Sequence, residues 1–146
     1  MRIDPHTHSS FSDGTQTPAQ LIASARECGL DVIGLTDHDT TDGWHQAAQA
    51  IEGTSLKLLR GMEISCSYQG ITLHLLSYLH DPDNVALNRE LRRSHEARHE
   101  RARLMVERLS KDYPITWEEV VAQAADGATL GRPHIADALV AAGAFK

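Results

Sequence analysis

Two cysteines, Cys28 and Cys66, are all the thiol chemistry these 146 residues contain. They form no metal-type pair and no disulfide framework, so packed free thiols in a reducing cytoplasm are expected. Long apolar runs are missing as well: none approaches the ~20 residues that span a bilayer. The first residues lack the basic-then-apolar pattern of a secretory signal. There is no basic excess either. The formal net charge is -6, with 14 Lys and Arg against 20 Asp and Glu, which argues against an extended nucleic-acid-binding face. A phosphate-bearing ligand stays possible, because divalent cations held by carboxylates reverse the local sign. Internal repeats and low-complexity tracts are absent.

What is present has the length of one ordinary domain and a globular composition, 41% hydrophobic and 23% charged, sufficient for a real core. Arg2 to His6 reads as a short strand. Thr17-Pro18-Ala19-Gln20 reads as a helix start, with Thr17 as N-cap, Pro18 at the first helical position and Gln20 closing a capping box. Leu21, Ile22, Ala25 and Cys28 form its apolar stripe, and Gly29 ends it. Asp31 to Thr36 is a buried-type strand, and a helix follows from about Asp42 to Glu52. Leu56–Ser67 and Ile71–Leu79 are two more strands joined at Gln69-Gly70. The spacing then predicts a long charged helix over 84–112, broken by Pro114. A second capping box begins at Thr116, and Pro133 and Gly143 bracket a last helix. The order is that of an α/β layer, residues 1–82, with a helical layer, 83–146, attached.

The nine histidines are informative by position. His6 and His8 are two apart, so in a strand they share one face and can chelate one ion. Thr36-Asp37-His38-Asp39 follows the second strand, Glu63 falls within the third, and His74 within the fourth. Strand ends that each supply a ligand-type residue are how parallel βα layers build active sites. Asp4 shares the face of His6 and His8 and is expected behind them. Asp37 and Asp39 fit either orienting hydrogen bonds to the ligands or a cap on the following helix. His45 and His80 match no ligand motif and are expected to be exposed.

The stretches DPHTHSSFSDGTQTP, GLTDHDT, GMEIS, HLLSY and GRPHIADAL together resemble the motifs of the PHP (polymerase and histidinol phosphatase) family of metal-dependent phosphoesterases. GRPHIADAL is similar in particular to the subgroup acting on nucleoside 3′,5′-bisphosphates and RNA 5′ ends. One departure is Pro5, where a leucine is common. The resemblance implies the N-terminal part of a distorted (β/α)7 barrel with a helical insertion, incomplete in this chain. It also implies a site for two or three divalent ions, manganese, iron or zinc. His6 and His8 would hold one ion, Glu63 would bridge to a second bound by His74, and Asp13 and His38 would hold the third. Arg132 and His134 would contact the substrate phosphate. The family pattern continues past this motif with a further His and an Asp-x-His pair that nothing after His134 supplies, so a fragment or part of a longer chain is expected.

His95-Glu96-Ala97-Arg98-His99 fits the H-E-x-x-H zinc-protease signature. Its flanks are so densely charged that a solvated, ion-paired helix is expected instead. The leading expectation is therefore metal-dependent hydrolysis of a phosphomonoester on a nucleotide or short oligonucleotide. A histidinol-phosphatase-type activity is the alternative within the family. From another class, the chain could be a non-catalytic metal-binding module that pairs with itself through an exposed sheet edge.

Overall fold

The computed structural model describes residues 1–125 and 127–144. Its elements are β1 (Ile3–Thr7), α1 (Pro18–Glu27), β2 (Val32–Leu35), α2 (Gly43–Ile51), β3 (Lys57–Tyr68), β4 (Ile71–Tyr78), α3 (Val85–Leu109), α4 (Trp117–Val121) and α5 (Arg132–Ala141). Local chemistry explains most of the boundaries. The Gln20 N–H donates to Thr17 Oγ1, and the Thr17 N–H donates to Gln20 Oε1 at 2.9 Å. The same reciprocal pair, Thr116 with Glu119, starts α4. At the β3–β4 turn both Gln69 (φ 49°) and Gly70 (φ 79°) are left-handed, the turn whose twist matches that of a hairpin.

The sheet order is β1-β2-β3-β4, with β1, β2 and β3 parallel and β4 antiparallel to β3. β3 serves two ladders. Its residues Lys57 to Arg60 pair with β2, whereas Gly61 to Tyr68 pair with β4. The result is a curled half-barrel that leaves β3 and β4 standing past the end of the parallel strands. α1 and α2 cover the parallel part through Ile22, Ala25, Ile33, Leu35 and Ala47. Trp44 locks α2 to the strand crossing, because its indole N–H donates to the Gly61 carbonyl at 2.9 Å. A second apolar cluster, around Val106, Ile115, Val120, Ile135 and Leu139, joins the helices that follow.

Two expectations need correction. Cys28 is exposed on the surface, whereas Cys66 is half-buried. His80 is half-buried, because its ring packs 5.0 Å from that of Trp44 and its Nδ1 lies 3.1 Å from Ser77 Oγ. His45 is exposed as expected. β4 and β1 are the edge strands; on β4, Ile71, Leu73 and Leu75 are exposed on one face, and Thr72 and His74 alternate with them on the other. No helix among the described residues is long and apolar enough to cross a membrane.

Candidate metal centre and cleft

The overrun of β3 builds the centre. Beyond Leu35 the chain stays alongside β3: the Glu63 N–H donates to the Asp37 carbonyl and the Asp39 N–H to the Glu63 carbonyl, both at 3.1 Å. His38 and Glu63 are thereby held in register as an isolated parallel bridge. Glu63 lies mid-strand in β3 and His74 mid-strand in β4, not at strand ends as the sequence pattern implied. They reach the mouth of the parallel sheet because the hairpin extends past it.

Four imidazoles converge on the Glu63 carboxylate, which is nearly buried. His6 Nε2 and His8 Nε2 lie 2.7 and 3.0 Å from Oε2, and His74 Nδ1 lies 2.7 Å from Oε1. His38 Nε2 stands 4.0 Å from Oε2 and 3.6 Å from Asp13 Oδ2, while Asp13 Oδ1 is 3.4 Å from His8 Nδ1. Three overlapping groups result: His6, His8 and Glu63; His8, Asp13 and His38; His38, Glu63 and His74.

These groups fit divalent ions. His6 Nε2 and His8 Nε2 are 3.1 Å apart, close to the edge expected around an ion whose ligands sit about 2.0–2.2 Å away. A neutral imidazole carries one N–H, and the Nδ1 of His38 is buried with no partner among the described residues. Mixed imidazole and carboxylate donors suit zinc, iron or manganese. Burial pushes the Glu63 carboxyl up, but the His6 hydrogen bond and the nearby His38 and His8 outweigh it and leave it below the usual value. Burial, then the Arg98 guanidinium, hold His38 low against the pull of Asp13 and Glu63. Both shifts favour the ligating forms, a carboxylate and a neutral ring.

The aspartates beside His38 brace it and cap nothing. Asp37 accepts from Ser9 N–H at 2.6 Å and from the hydroxyls of Ser9 and Ser12 at 2.7 Å, tying down the loop that carries Asp13. Gly14 lets that loop fold back, since a Cβ there would lie 2.2 Å from the His8 carbonyl oxygen. Asp39 (φ 56°) turns inward, accepting from Ser65 N–H at 2.7 Å and from Arg98 Nη1 at 3.1 Å. The N-cap position of α2 is Asp42, whose side chain makes no capping hydrogen bond among the described residues. Asp4 is exposed and, among the described residues, accepts only the His6 N–H, at 3.3 Å, within its own strand.

Beside His74 opens a cleft of about 620 Å³, lined among others by Arg93, Arg98, Arg101, Gly131 and Arg132. Arg132 is exposed and has no ion pair among the described residues. A Cβ on Gly131 would lie 3.8 Å from Asp13 Oδ2, so the Gly-Arg-Pro-His turn abuts the metal-type cluster. His134 is buried, and its Nδ1 accepts the Gly131 N–H at 3.0 Å. In the neutral ring this leaves the proton on Nε2.

A profile described as the PHP domain matches residues 4–129. The chain belongs to the PHP-domain family. It is 35% identical over 143 residues to the 5′-3′ exoribonuclease Rnm of Salmonella typhimurium, covering 96% of this chain and 48% of that protein. It is 36% identical over 152 residues to the 3′,5′-nucleoside bisphosphate phosphatase of Chromobacterium violaceum, covering 99% of this chain and 51% of that one. The crystal structure of a candidate metal-dependent phosphoesterase from Bifidobacterium adolescentis superposes with a TM-score of 0.94 at 46% identity, over 99% of this chain and 51% of the other. The chain thus spans about half the length of the curated PHP relatives it matches.

The H-E-x-x-H pair is no zinc site in this PHP fold. His95 Nε2 lies 2.9 Å from Thr129 Oγ1, whereas the His99 ring stands edge-on to Trp117 at 4.9 Å. α3 is ion-paired on its outer side, Glu90 with Arg89 and Arg93, but Ala102 and Val106 are buried, and Ser94, Arg98, Ala102 and Met105 line the cleft. Their i, i+4, i+8, i+11 spacing is one helical stripe. The abundance of neighbouring arginines concealed it.

Proposed function

We propose that this chain carries part of the metal-binding site of a phosphoesterase that hydrolyses a phosphomonoester on a nucleotide, either a nucleoside 3′,5′-bisphosphate or a short RNA 5′ end. The observation that carries the reading is the convergence of His6, His8, Asp13, His38, Glu63 and His74 next to an arginine-lined cleft. The names of the Salmonella and Chromobacterium relatives, an exoribonuclease and a nucleoside bisphosphate phosphatase, support a nucleotide or RNA substrate, and the second supports a phosphomonoester.

In this reading His6 and His8 would hold one ion, Glu63 and His74 a second, and Asp13 with His38 a third. Divalent ions there would supply a nucleophilic water at neutral pH and neutralise charge on the phosphoryl group. Arg132 offers a planar fork for two phosphate oxygens. With Nδ1 engaged by Gly131, His134 acts from Nε2 as a donor and not as a base. Asp37 and Asp39 orient the ligand loops. Asp4, by its single contact to the His6 N–H, steadies β1.

The test is phosphate release from a nucleoside 3′,5′-bisphosphate with added Mn²⁺. Release that EDTA abolishes supports the proposal. Activity on histidinol phosphate alone would move the substrate to the other branch of the family. Mn²⁺ binding with neither release from any phosphomonoester nor shortening of an RNA would favour a non-catalytic metal-binding module.

A further inference from the structure

Thr129 is not a ligand-type residue, yet it is 2% exposed and joins three segments of chain. Its Oγ1 donates to the His38 carbonyl at 2.9 Å, across ninety-one positions. The same Oγ1 lies 2.9 Å from His95 Nε2 on α3. Its backbone N–H donates to the Phe11 carbonyl at 3.1 Å, in the loop that carries Asp13. A hydroxyl has one proton. Since the His38 carbonyl can only accept, that proton is committed to it, and His95 must donate its own Nε2–H to the hydroxyl oxygen. The direction of the chain is therefore set: His95 Nε2–H to Thr129 Oγ1–H to His38 C=O.

We infer that Thr129 is a positioning residue that clamps the His38 loop to the Asp13 loop, with His95 holding its hydroxyl in orientation. The inference rests on the metal-site reading of His8, Asp13 and His38. Asp13 and His38 come from different loops, and their facing atoms are 3.6 Å apart. Thr129 bonds to the backbone of one ligand itself and to that of Phe11, two residues from the other. Losing the hydroxyl leaves the His38 carbonyl and the His95 N–H without their partner inside the protein. It frees the loops to separate without removing any ligand. The role also explains a use for His95 unrelated to the H-E-x-x-H pattern.

The experiment is Mn²⁺ titration of the purified protein and its T129V, T129S and H95A variants, followed by calorimetry. Histidine ¹⁵N spectra of the metal-free proteins accompany it. T129V, nearly isosteric, is expected to weaken one class of Mn²⁺ sites by about 10-fold or more, the range typical of removing a partner that orients a ligand. The remaining classes should be unchanged, T129S should retain affinity, and H95A should weaken the same class to a lesser degree. The His95 signal should be that of the Nε2–H tautomer and should change in T129V. Equal titration of T129V and the unmodified protein overturns the inference. So does loss in T129S as large as in T129V, which would make the methyl the relevant group. Should T129V fail to fold, unaltered Mn²⁺ binding by H95A, or an Nδ1–H tautomer at His95, overturns it. An unmodified protein that binds no Mn²⁺ removes the metal-site reading itself, a different failure from intact binding that ignores Thr129.

Discussion

Arg98 Nη1 lies 3.1 Å from Asp39 Oδ2, with the aspartate side chain fully buried and the arginine side chain 14% exposed. The pair joins α3 to the segment that carries His38, and Arg98 also donates to Ser65 Oγ at 3.0 Å on β3. Removing one partner of such a pair strands a buried charge, which is costlier than never burying the pair. R98A is therefore expected to destabilise the protein by about 3–5 kcal/mol. The double variant R98A/D39N should recover part of that loss, read by urea denaturation. Additive losses would mean that the two side chains do not act together.

Asp37 holds the Asp13 loop through three donors from Ser9 and Ser12. D37A leaves those donors without their acceptor, and hydrogen bonds to a charged group contribute about 1.5–3 kcal/mol each. Chemical denaturation should show a loss of at least about 2 kcal/mol, with weakened Mn²⁺ binding although no ligand has changed. Undiminished Mn²⁺ affinity would show that the loop holds Asp13 in place without Asp37.

Glu63 is the common neighbour of His6, His8 and His74. E63Q keeps the shape but loses a negative charge and one acceptor oxygen. Phosphate release with saturating Mn²⁺ should fall by more than about 100-fold, beyond the 10–100-fold typical of residues that only orient ligands. A drop of less than tenfold would remove Glu63 from its bridging place.

His80 gives a pH prediction outside the metal centre. Burial against Trp44 lowers its pKa below the usual 6.5, only partly countered by Asp81. The unfolded chain therefore takes up this proton first as pH falls. Its contribution to stability is present above pH 6.5 and is lost as pH falls through the lower folded pKa. Denaturation at pH 7.5 and pH 5 should show a smaller difference for H80F than for the unmodified protein. An equal difference would assign the acid sensitivity to other groups.

Much of the scaffold was legible because it is written in local chemistry. The Thr17/Gln20 and Thr116/Glu119 caps, the Gln69-Gly70 turn and the two-residue spacing of His6 and His8 each act within a few residues. The inward turn of Asp39, the burial of His80 and the Thr129 contacts are set by segments far away in the sequence. Arg98 was hidden for another reason: among so many charged neighbours on α3, composition argued for solvent, whereas the stripe from Ser94 to Met105 pointed inward. Glu63 was found by type, but its position depended on β3 changing partners at Gly61, a tertiary event with no residue signature.

Anomalous diffraction from Mn²⁺-soaked crystals, measured at the manganese edge, tests the multinuclear site most directly. Two or three peaks are predicted within bonding distance of the six groups, one between His6 and His8, another beside His74, both touching Glu63, and a third between Asp13 and His38. Peaks confined to surface carboxylates, with none around Glu63, would contradict a metal centre built from these residues.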